Sequence, residues 1–310
     1  MTSRRWWTRI IALAGFGLLV GWWAFTRYSH SGSTARLEAV WGRRGLLRGD
    51  FIKPRALALD HDGNIVTVDF RARIQTFTPD GKLLADWETP DHRFGRPSGL
   101  CVDNDGNVLI ADSHYHQILV YDKAGKLLRK YGGHDGDAPL KDEFGYVGDV
   151  AVDSKGFIYI AEAQQRERIT KITPEGKIVK QWGERGLEPG QFQRVRAMFF
   201  DNHDRLFVAD ACNHRIQVFD TDGNFLREFG KEHLQYPFDV VVADDGDVFV
   251  CEWGGGRIRR FDSEGVLKGT WGEHGRKEGQ LANPWAITLD REGRVLIADS
   301  DNHRVQVISF

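Results

Sequence analysis

Short apolar runs separated by polar turns fill the chain from residue 37 to residue 310. One unit shows the pattern: Ala197–Phe200 is continuously apolar, Leu206–Ala209 follows a polar turn, Arg215–Phe219 alternates, and Phe225–Phe229 ends the unit. A continuously apolar run predicts a strand buried on both faces, and an alternating run predicts a strand with one buried face. No helical periodicity appears within these residues, so the region is predicted to be all-β.

The same unit recurs six times along the chain. Each copy begins with an apolar run that ends in a polar turn, and successive copies lie about 40–50 residues apart, which is the period of propeller blades. The first residues of these turns are Asp60, Asp103, Asp153, Asp201, Ala243 and Asp290. Four short strands per unit at this period predict a six-bladed β-propeller whose innermost strands surround a central channel.

The last copy of the unit is incomplete. It stops at Phe310 after its third strand, whereas Leu37–Gly42 (LEAVWG) is similar to the fourth strands of other copies, such as Phe225–Gly230 (FLREFG). An open ring would leave the backbone groups of an edge strand unpaired. We therefore expect the N-terminal strand to close the last blade.

A three-residue motif at the start of the third strand carries a family resemblance. It is complete at Asn213-His214-Arg215 and Asn302-His303-Arg304, and His116 keeps only its histidine. The arginine alone is kept at Arg73, Arg168 and Arg257. These units resemble NHL repeats over residues 37–310. The resemblance implies a six-bladed β-propeller of the NHL type, and it implies no single activity.

An uncharged apolar segment, Ile10–Thr26, precedes the repeats. As a helix it would span roughly 25 Å, and the arginines before it favour a cytoplasmic N-terminus. We expect residues 1–27 to form a cytoplasmic start and a transmembrane or signal-anchor helix, and residues 28–36 to form a tether. Residues 37–310 would then be a membrane-anchored propeller on the extracytoplasmic side. A cleaved signal peptide and a secreted propeller are the alternative.

Charge is distributed unevenly along the chain, whose formal net charge is −2. The first 37 residues contain no acid, and their basic residues are Arg4, Arg5, Arg9, Arg27 and Arg36. The propeller is therefore acidic, which disfavours a general nucleic-acid binder. RNA binding, as in the tripartite-motif NHL proteins, would depend on the basic residues near the first blade: Arg43, Arg44, Arg48, Lys53 and Arg55. The acidic body and the expected export oppose it.

Polar residues that recur in every blade are expected to be structural. An acid precedes the third strand at Asp69, Asp112, Glu162, Asp210, Glu252 and Asp299. A basic residue starts that strand at Arg73, Arg168, Arg215, Arg257 and Arg304, with Gln117 as the exception. Histidines His116, His214 and His303 would lie too far from the axis to share one metal ion. The cysteines Cys101, Cys212 and Cys251 have the spacing of neither a disulfide framework nor a zinc cluster.

Residues that break the repeat are the candidate site. Those that start the inner strands would surround the mouth of the central channel. The predicted ligand-binding residues are Arg55, Asp149, Arg196, Phe238, Asp239 and Trp285 at the mouth, with Arg166 and Trp253 in neighbouring loops. A concave surface with aromatic and charged groups suits a polar ligand or a peptide. The alternative is that the arginines pair with the aspartates and block the channel.

The predicted function is that of an exported, membrane-tethered binding module, either a scaffold or the ligand-binding part of a sensor, for a protein, peptide or glycan. No nucleophile lies beside a base, so no catalytic residue, metal ligand or cofactor is assigned. The alternative is a metal-dependent enzyme resembling the amidating-lyase or lactonase propellers. The resemblance to the amidating lyase implies zinc-binding histidines at the channel mouth, and the starts of the inner strands contain none. The resemblance to lactonases implies a divalent metal bound by oxygen ligands near the axis, where Asp149 and Asp239 would supply two oxygens without an evident third ligand.

Overall fold

The computed structural model describes residues 35–91, 93, 96–133 and 144–310. Within these residues the strands form six antiparallel sheets of four strands each, and the innermost strand of each sheet contacts those of its two neighbours. The prediction of an all-β, six-bladed propeller is therefore confirmed. The described residues include no helix with the length and apolar character needed to cross a membrane. The predicted anchor at residues 10–26 lies outside them.

The strands are numbered in chain order, and each blade is given from the axis outwards. Blade 1 is β2 (Pro54–Leu59), β3 (Ile65–Asp69), β4 (Arg73–Phe77) and β5 (Leu83–Glu88). Blade 2 is β6 (Gly99–Val102), β7 (Val108–Asp112), β8 (Gln117–Tyr121) and β9 (Leu127–Gly132). Blade 3 is β10 (Tyr146–Val152), β11 (Ile158–Ala163), β12 (Arg168–Ile172) and β13 (Ile178–Trp182).

Blade 4 is β14 (Val195–Phe200), β15 (Leu206–Asp210), β16 (Arg215–Phe219) and β17 (Phe225–Phe229). Blade 5 is β18 (Pro237–Val242), β19 (Val248–Glu252), β20 (Arg257–Phe261) and β21 (Leu267–Trp271). Blade 6 is β22 (Ala286–Leu289), β23 (Val295–Asp299), β24 (Arg304–Ser309) and β1 (Arg36–Trp41). Single 3-10 turns lie at Ser113–Tyr115, Ala211–Asn213 and Ser300–Asn302.

Strand β1 closes the ring, as the incomplete last repeat predicts. It pairs antiparallel with β24, from Arg36 opposite Ser309 to Trp41 opposite Val305. The neighbouring Phe310 lines the channel together with residues of the turn between β22 and β23. The chain therefore enters the propeller near the end of the channel where the inner strands finish.

Apolar side chains packed between neighbouring sheets hold the blades together. Trp41, at the end of β1, lies with its ring 5.0 Å from that of Phe77 in blade 1. It also covers Gly81, where a Cβ atom would be 2.5 Å from the indole and φ is +88°, so glycine is required there. The same contact recurs between Trp87 and Gly125 and between Trp182 and Gly223. Burial of each such side chain contributes about 1.5–3 kcal/mol to stability.

The recurring acid and arginine tie two loops together. Fully buried Arg215 donates from Nε to Asp210 Oδ2 at 2.8 Å, and its two Nη atoms donate to the carbonyls of Leu187, Glu188 and Gln191. Asp210 Oδ1 accepts the backbone N–H of Gln193 at 2.7 Å. Equivalent ion pairs join Arg73 to Asp69 and Arg304 to Asp299. These cations are buried because their donors are satisfied.

The histidines of the motif link neighbouring blades. His214 Nδ1 accepts the backbone N–H of Tyr236 at 2.9 Å, and His303 Nδ1 accepts that of Lys53 at 3.0 Å. Both histidines have the left-handed backbone, with φ values of 56° and 58°. That conformation turns each ring toward the loop that precedes the next blade. Their role in the structure is a blade-to-blade contact.

Candidate functional site

The six inner strands surround a channel of about 870 Å³. Residues from β2, β6, β10, β14, β18 and β22 all line it. We call the end where these strands begin the mouth. A cavity of this volume is large enough for a small ligand or for several side chains of a bound peptide.

Bulges at the start of the inner strands direct side chains to the mouth. The pairing register shifts between Pro54 and Ala56 in β2, and between Pro237 and Asp239 in β18. A wider shift in β14 spans Arg196 and Ala197. A bulged residue leaves the regular alternation of a strand, and bulges often re-aim side chains beside binding sites. Arg55, Arg196 and Phe238 are placed in this way.

An aromatic cluster covers one side of the mouth and consists of Tyr236, Phe238, Trp253 and Trp285. The Phe238 ring lies 5.0 Å from Trp285 and is stacked on Trp253 at 6.1 Å with an interplanar angle of 23°. Tyr236 lies 6.0 Å from Phe238. Phe238 is buried, whereas Trp253 is 36% exposed, so the cluster is anchored in the fold and presents an indole face to solvent.

Two arginines stack on this cluster. The Arg55 guanidinium lies 4.3 Å from the Trp285 ring and 4.7 Å from the Phe70 ring, and Nη1 donates to the carbonyl of Pro97 at 3.2 Å. The Arg196 guanidinium lies 3.9 Å from the Phe238 ring and 5.4 Å from the same Trp285 ring. Both cations therefore share one indole, although they come from blades on opposite sides of the channel.

The two aspartates at the mouth bind backbone amides of the next inner strand. Asp149 Oδ2 accepts the N–H of Met198 at 2.7 Å, and Asp239 Oδ2 accepts the N–H of Ile287 at 2.8 Å. No ion pair joins either aspartate to Arg55 or Arg196 among the described residues. The alternative in which arginines and aspartates pair and block the channel is wrong, because the carboxylates are used to join neighbouring blades.

Burial sets the protonation of these groups. It raises the pKa of Asp239 to about 7, and together with the nearby Asp239 it raises the pKa of Asp149 well above its usual range. Burial also lowers the pKa of Arg55 to about 10, an effect strengthened by repulsion from Arg196 and Arg96. Asp239 is therefore only partly ionised near pH 7, burial favours the neutral form of Asp149, and Arg55 stays protonated.

The structure brings six of the eight predicted residues to the channel: Arg55, Asp149, Arg196, Phe238, Asp239 and Trp285. Trp253 joins them through its contact with Phe238. Arg166 does not line the channel, and its guanidinium lies 4.0 Å from the buried Glu162. That all eight bind a ligand remains a prediction.

Three further residues contribute to the mouth without having been predicted. Phe70 receives the guanidinium groups of both Arg55 and Arg96, and Tyr236 belongs to the aromatic cluster. Arg96 lies three residues before β6 and Tyr236 lies one residue before β18, in the loops that lead into these inner strands. Aromatic and basic residues in those loops are the signal that could have identified them.

The described part of the chain contains no group of three or more His, Cys, Asp or Glu side chains arranged to hold a metal ion. The carboxylates nearest the axis, Asp149 and Asp239, already accept backbone N–H groups. A metal ion at this position would have to displace these hydrogen bonds and bind the deprotonated carboxylates.

Comparison with known proteins supports the repeat and the fold. The family model "NHL repeat" matches residues 94–121, 199–219 and 281–308. The chain is 33% identical over 132 residues to Protein brain tumor of Drosophila melanogaster, covering 40% of this chain and 12% of that protein. It is 37% identical over 159 residues to the peptidylglycine alpha-amidating monooxygenase of Rattus norvegicus, covering 48% of this chain and 16% of that protein.

A third relative is NHL repeat-containing protein 3 of Homo sapiens, 29% identical over 179 residues, covering 51% of this chain and 50% of that protein. The chain thus spans half or less of the length of these relatives. Among solved structures, it is similar to virginiamycin B lyase from Staphylococcus aureus, with 17% identity and a TM-score of 0.62, covering 89% of this chain and 99% of that one. At that identity the likeness concerns the fold. The chain therefore contains NHL repeats, and its described residues fold as a six-bladed β-propeller.

Proposed function

We propose that the chain is a binding module that holds a segment of a partner protein at the mouth of its channel. The observation that carries this proposal is the aromatic cluster, in which exposed Trp253 stacks on buried Phe238 beside an open channel. Aromatic residues and arginine dominate the energetics of protein interfaces, particularly where they surround a pocket. A glycan, whose rings can also stack on an indole face, is the ligand that the experiments must distinguish from a protein segment.

The relatives support a role in protein interaction. Part of the chain is 26% identical over 102 residues to an E3 ubiquitin-protein ligase, NHLRC1 of Homo sapiens, whose name describes an enzyme that acts on proteins. The match covers 31% of this chain. In our proposal the present propeller has a comparable recognition role as a scaffold or as the ligand-binding part of a sensor.

No observation at the mouth favours the alternative of a metal-dependent lyase or lactonase. The arginines stack on aromatic rings, and the aspartates are bound to backbone amides. The similarity to lyase structures lies at 15–18% identity and therefore shows the fold alone. We therefore carry only the binding proposal forward.

The binding proposal is tested by partner capture with a matched pair of variants. Trp253→Ala removes an aromatic side chain that is 36% exposed at the mouth, and Phe225→Ala removes one that is also 36% exposed but lies on the outer strand of blade 4. We expect proteins cross-linked to the wild-type propeller to be lost with Trp253→Ala and retained with Phe225→Ala. Identical protein partners for both variants would contradict the proposal, and glycan binding that depends on Trp253 without any protein partner would replace it.

We also propose that the propeller is exported and tethered through residues 10–26. The charge pattern around that segment supports this orientation. Cys212 is exposed, whereas Cys251 is buried, so Cys212 is a natural reporter of the side on which the propeller lies. We expect a membrane-impermeant maleimide to label the full chain on intact spheroplasts, and Cys212→Ser to remove most of the label. Labelling only after lysis would overturn the proposed location.

A further inference from the structure

The arginines at the mouth differ from the other buried arginines of the propeller. Arg73, Arg215 and Arg304 each form an ion pair with an aspartate at 2.6–2.8 Å. Arg55 and Arg196 form no ion pair with any carboxylate among the described residues. Arg196 Nε is buried and donates no hydrogen bond within that part of the chain. Two cations at the mouth are therefore left without an anion.

The surroundings of these cations are suited to an anion from another molecule. The Arg55 and Arg196 guanidinium groups contact the same Trp285 ring, at 4.3 and 5.4 Å, so they lie on one shared surface. Stacking on aromatic faces holds each guanidinium plane and leaves most of its N–H groups available at the edge. Arginine N–H groups held in this way match the two oxygens of a carboxylate.

No carboxylate forms an ion pair with Arg55 or Arg196 among the described residues. Asp149 attracts Arg196 and Asp69 attracts Arg55, but Asp149 and Asp239 accept backbone N–H groups, and burial favours their neutral forms. Arg96 adds a third cation, which donates to the carbonyl of Phe70 at 3.1 Å and stacks on that ring at 4.5 Å. The mouth thus combines uncompensated positive charge with an apolar aromatic surface.

We propose that Arg55 and Arg196 bind a carboxylate of the partner segment while the adjoining apolar side chain packs on the aromatic cluster. This inference rests on the proposed function and gives the ligand a chemical class: a peptide that presents an acidic group beside an apolar or aromatic residue. The carboxylate can belong to the C-terminus of a chain or to an aspartate or glutamate. Charge-assisted hydrogen bonds to the arginines replace those that the anion made with water.

Two carboxylate probes with their amide counterparts, and one phosphate, test the proposal with the isolated propeller, residues 34–310, whose described part forms the closed ring. N-acetyl-phenylalanine is compared with N-acetyl-phenylalaninamide for a C-terminal carboxylate. N-acetyl-Glu-Phe-amide is compared with N-acetyl-Gln-Phe-amide for an acidic side chain, and phenyl phosphate reports on phosphate. We expect at least one acid to bind about tenfold more tightly than its amide in calorimetric or NMR titration, a preference that falls with added salt.

Matched variants assign that preference to the two arginines. Arg55→Gln and Arg196→Gln should each remove most of the difference between acid and amide, and the lysine variants, which keep the charge, should retain part of it. Arg276→Gln removes the same charge from an exposed loop and should leave the preference unchanged. Melting temperatures of all variants show whether the fold is intact, and the wild-type comparison of acid with amide holds even if a variant does not fold.

The outcomes separate this inference from the proposed function. Equal affinities for the acids and their amides would contradict the proposal that the arginines bind a carboxylate, but would not contradict the proposed peptide site. A strong preference for phenyl phosphate over every carboxylate would replace the carboxylate site with a phosphate site. A third outcome combines two results: the preference for acids depends on both arginines, but Trp253→Ala does not change which proteins are captured. It would show that the anion site is separate from the protein-binding surface.

Discussion

Two arginines of blade 4 show how differently one residue type is used in this propeller. Arg215 begins β16 and is fully buried, with five hydrogen-bonded partners: Asp210, Glu228 and three carbonyl oxygens. Arg196 is the second residue of the inner strand β14 and lies in its bulge. Its guanidinium stacks on Phe238, and its buried Nε has no partner among the described residues. The first is paired by its own fold, whereas the second has its charge available for another molecule.

The largest expected effect is that of Arg215→Met on stability. Removing this guanidinium leaves Asp210 buried without its counter-ion, and breaking a buried pair in this way costs about 3–5 kcal/mol. Chemical denaturation should therefore show a large loss in the free energy of unfolding. Arg196→Met is the control, because it removes a charge that has no ion-pair partner, and its stability should equal or exceed that of the wild type. Equal losses for the two variants would remove the distinction between them.

A smaller effect is expected from the unpaired acid Asp239. Its pKa is raised from 3.8 in the unfolded chain to about 7 in the folded protein, so between these values the unfolded state releases a proton that the folded state retains. Stability therefore falls as the pH rises from about 4 to about 7, by at most about 4 kcal/mol from this group, and changes little above that range.

Denaturation of the wild type and of Asp239→Asn across this pH range measures the contribution of Asp239 together with its effect on the neighbouring Asp149, because all other acids are common to both proteins. In the asparagine variant, the free energy of unfolding should fall less between pH 4 and pH 7 than it does in the wild type. Asp62→Asn, in an exposed turn, should keep the wild-type profile. A profile of Asp239→Asn that runs parallel to that of the wild type would show that the Asp239 carboxyl titrates normally.

The smallest effect is expected at His214, which connects the two regions. His214→Ala removes the acceptor of the Tyr236 N–H and places alanine in the left-handed conformation, at a combined cost of about 1–2 kcal/mol. Because Tyr236 belongs to the aromatic cluster, the variant should also bind N-acetyl-phenylalanine less tightly. His203→Ala, on an exposed turn, should change neither quantity. Unchanged probe binding by His214→Ala would show that the mouth does not depend on this link.

The sequence predicts the blades because the interactions that form a blade lie within one repeat unit and recur in each copy. Alternation within strands, Asp-Gly turns and the recurring Asp210–Arg215 pair all lie within one unit, and even the closing role of β1 follows from its similarity to strands such as β17. The mouth is less predictable, because its side chains come from six distant segments. Arg166 was predicted to belong to it but lies beside Glu162.

The partners of the mouth residues depend on the backbone path. The predicted alternative pairs the arginines of the mouth with its aspartates, yet Asp149 accepts the backbone N–H of Met198 in the next blade. Bulges in β14 and β18 rotate Arg196 and Phe238 toward each other, and residue types alone do not reveal a bulge. Likewise, Tyr236 joins the cluster through its left-handed φ of 57°.

The pairing of β1 with β24 has a consequence for how the chain is made. Glu38 and the Ser309 hydroxyl, which are hydrogen-bonded across this pair, are 271 residues apart in sequence. During synthesis β1 emerges before every other strand of the ring and meets its partner only after all six blades have been translated. Contacts between such distant segments form slowly, because a long loop must be ordered first. Ring closure is therefore expected to be the final step of folding, and until then the apolar side of β1 needs protection from other chains.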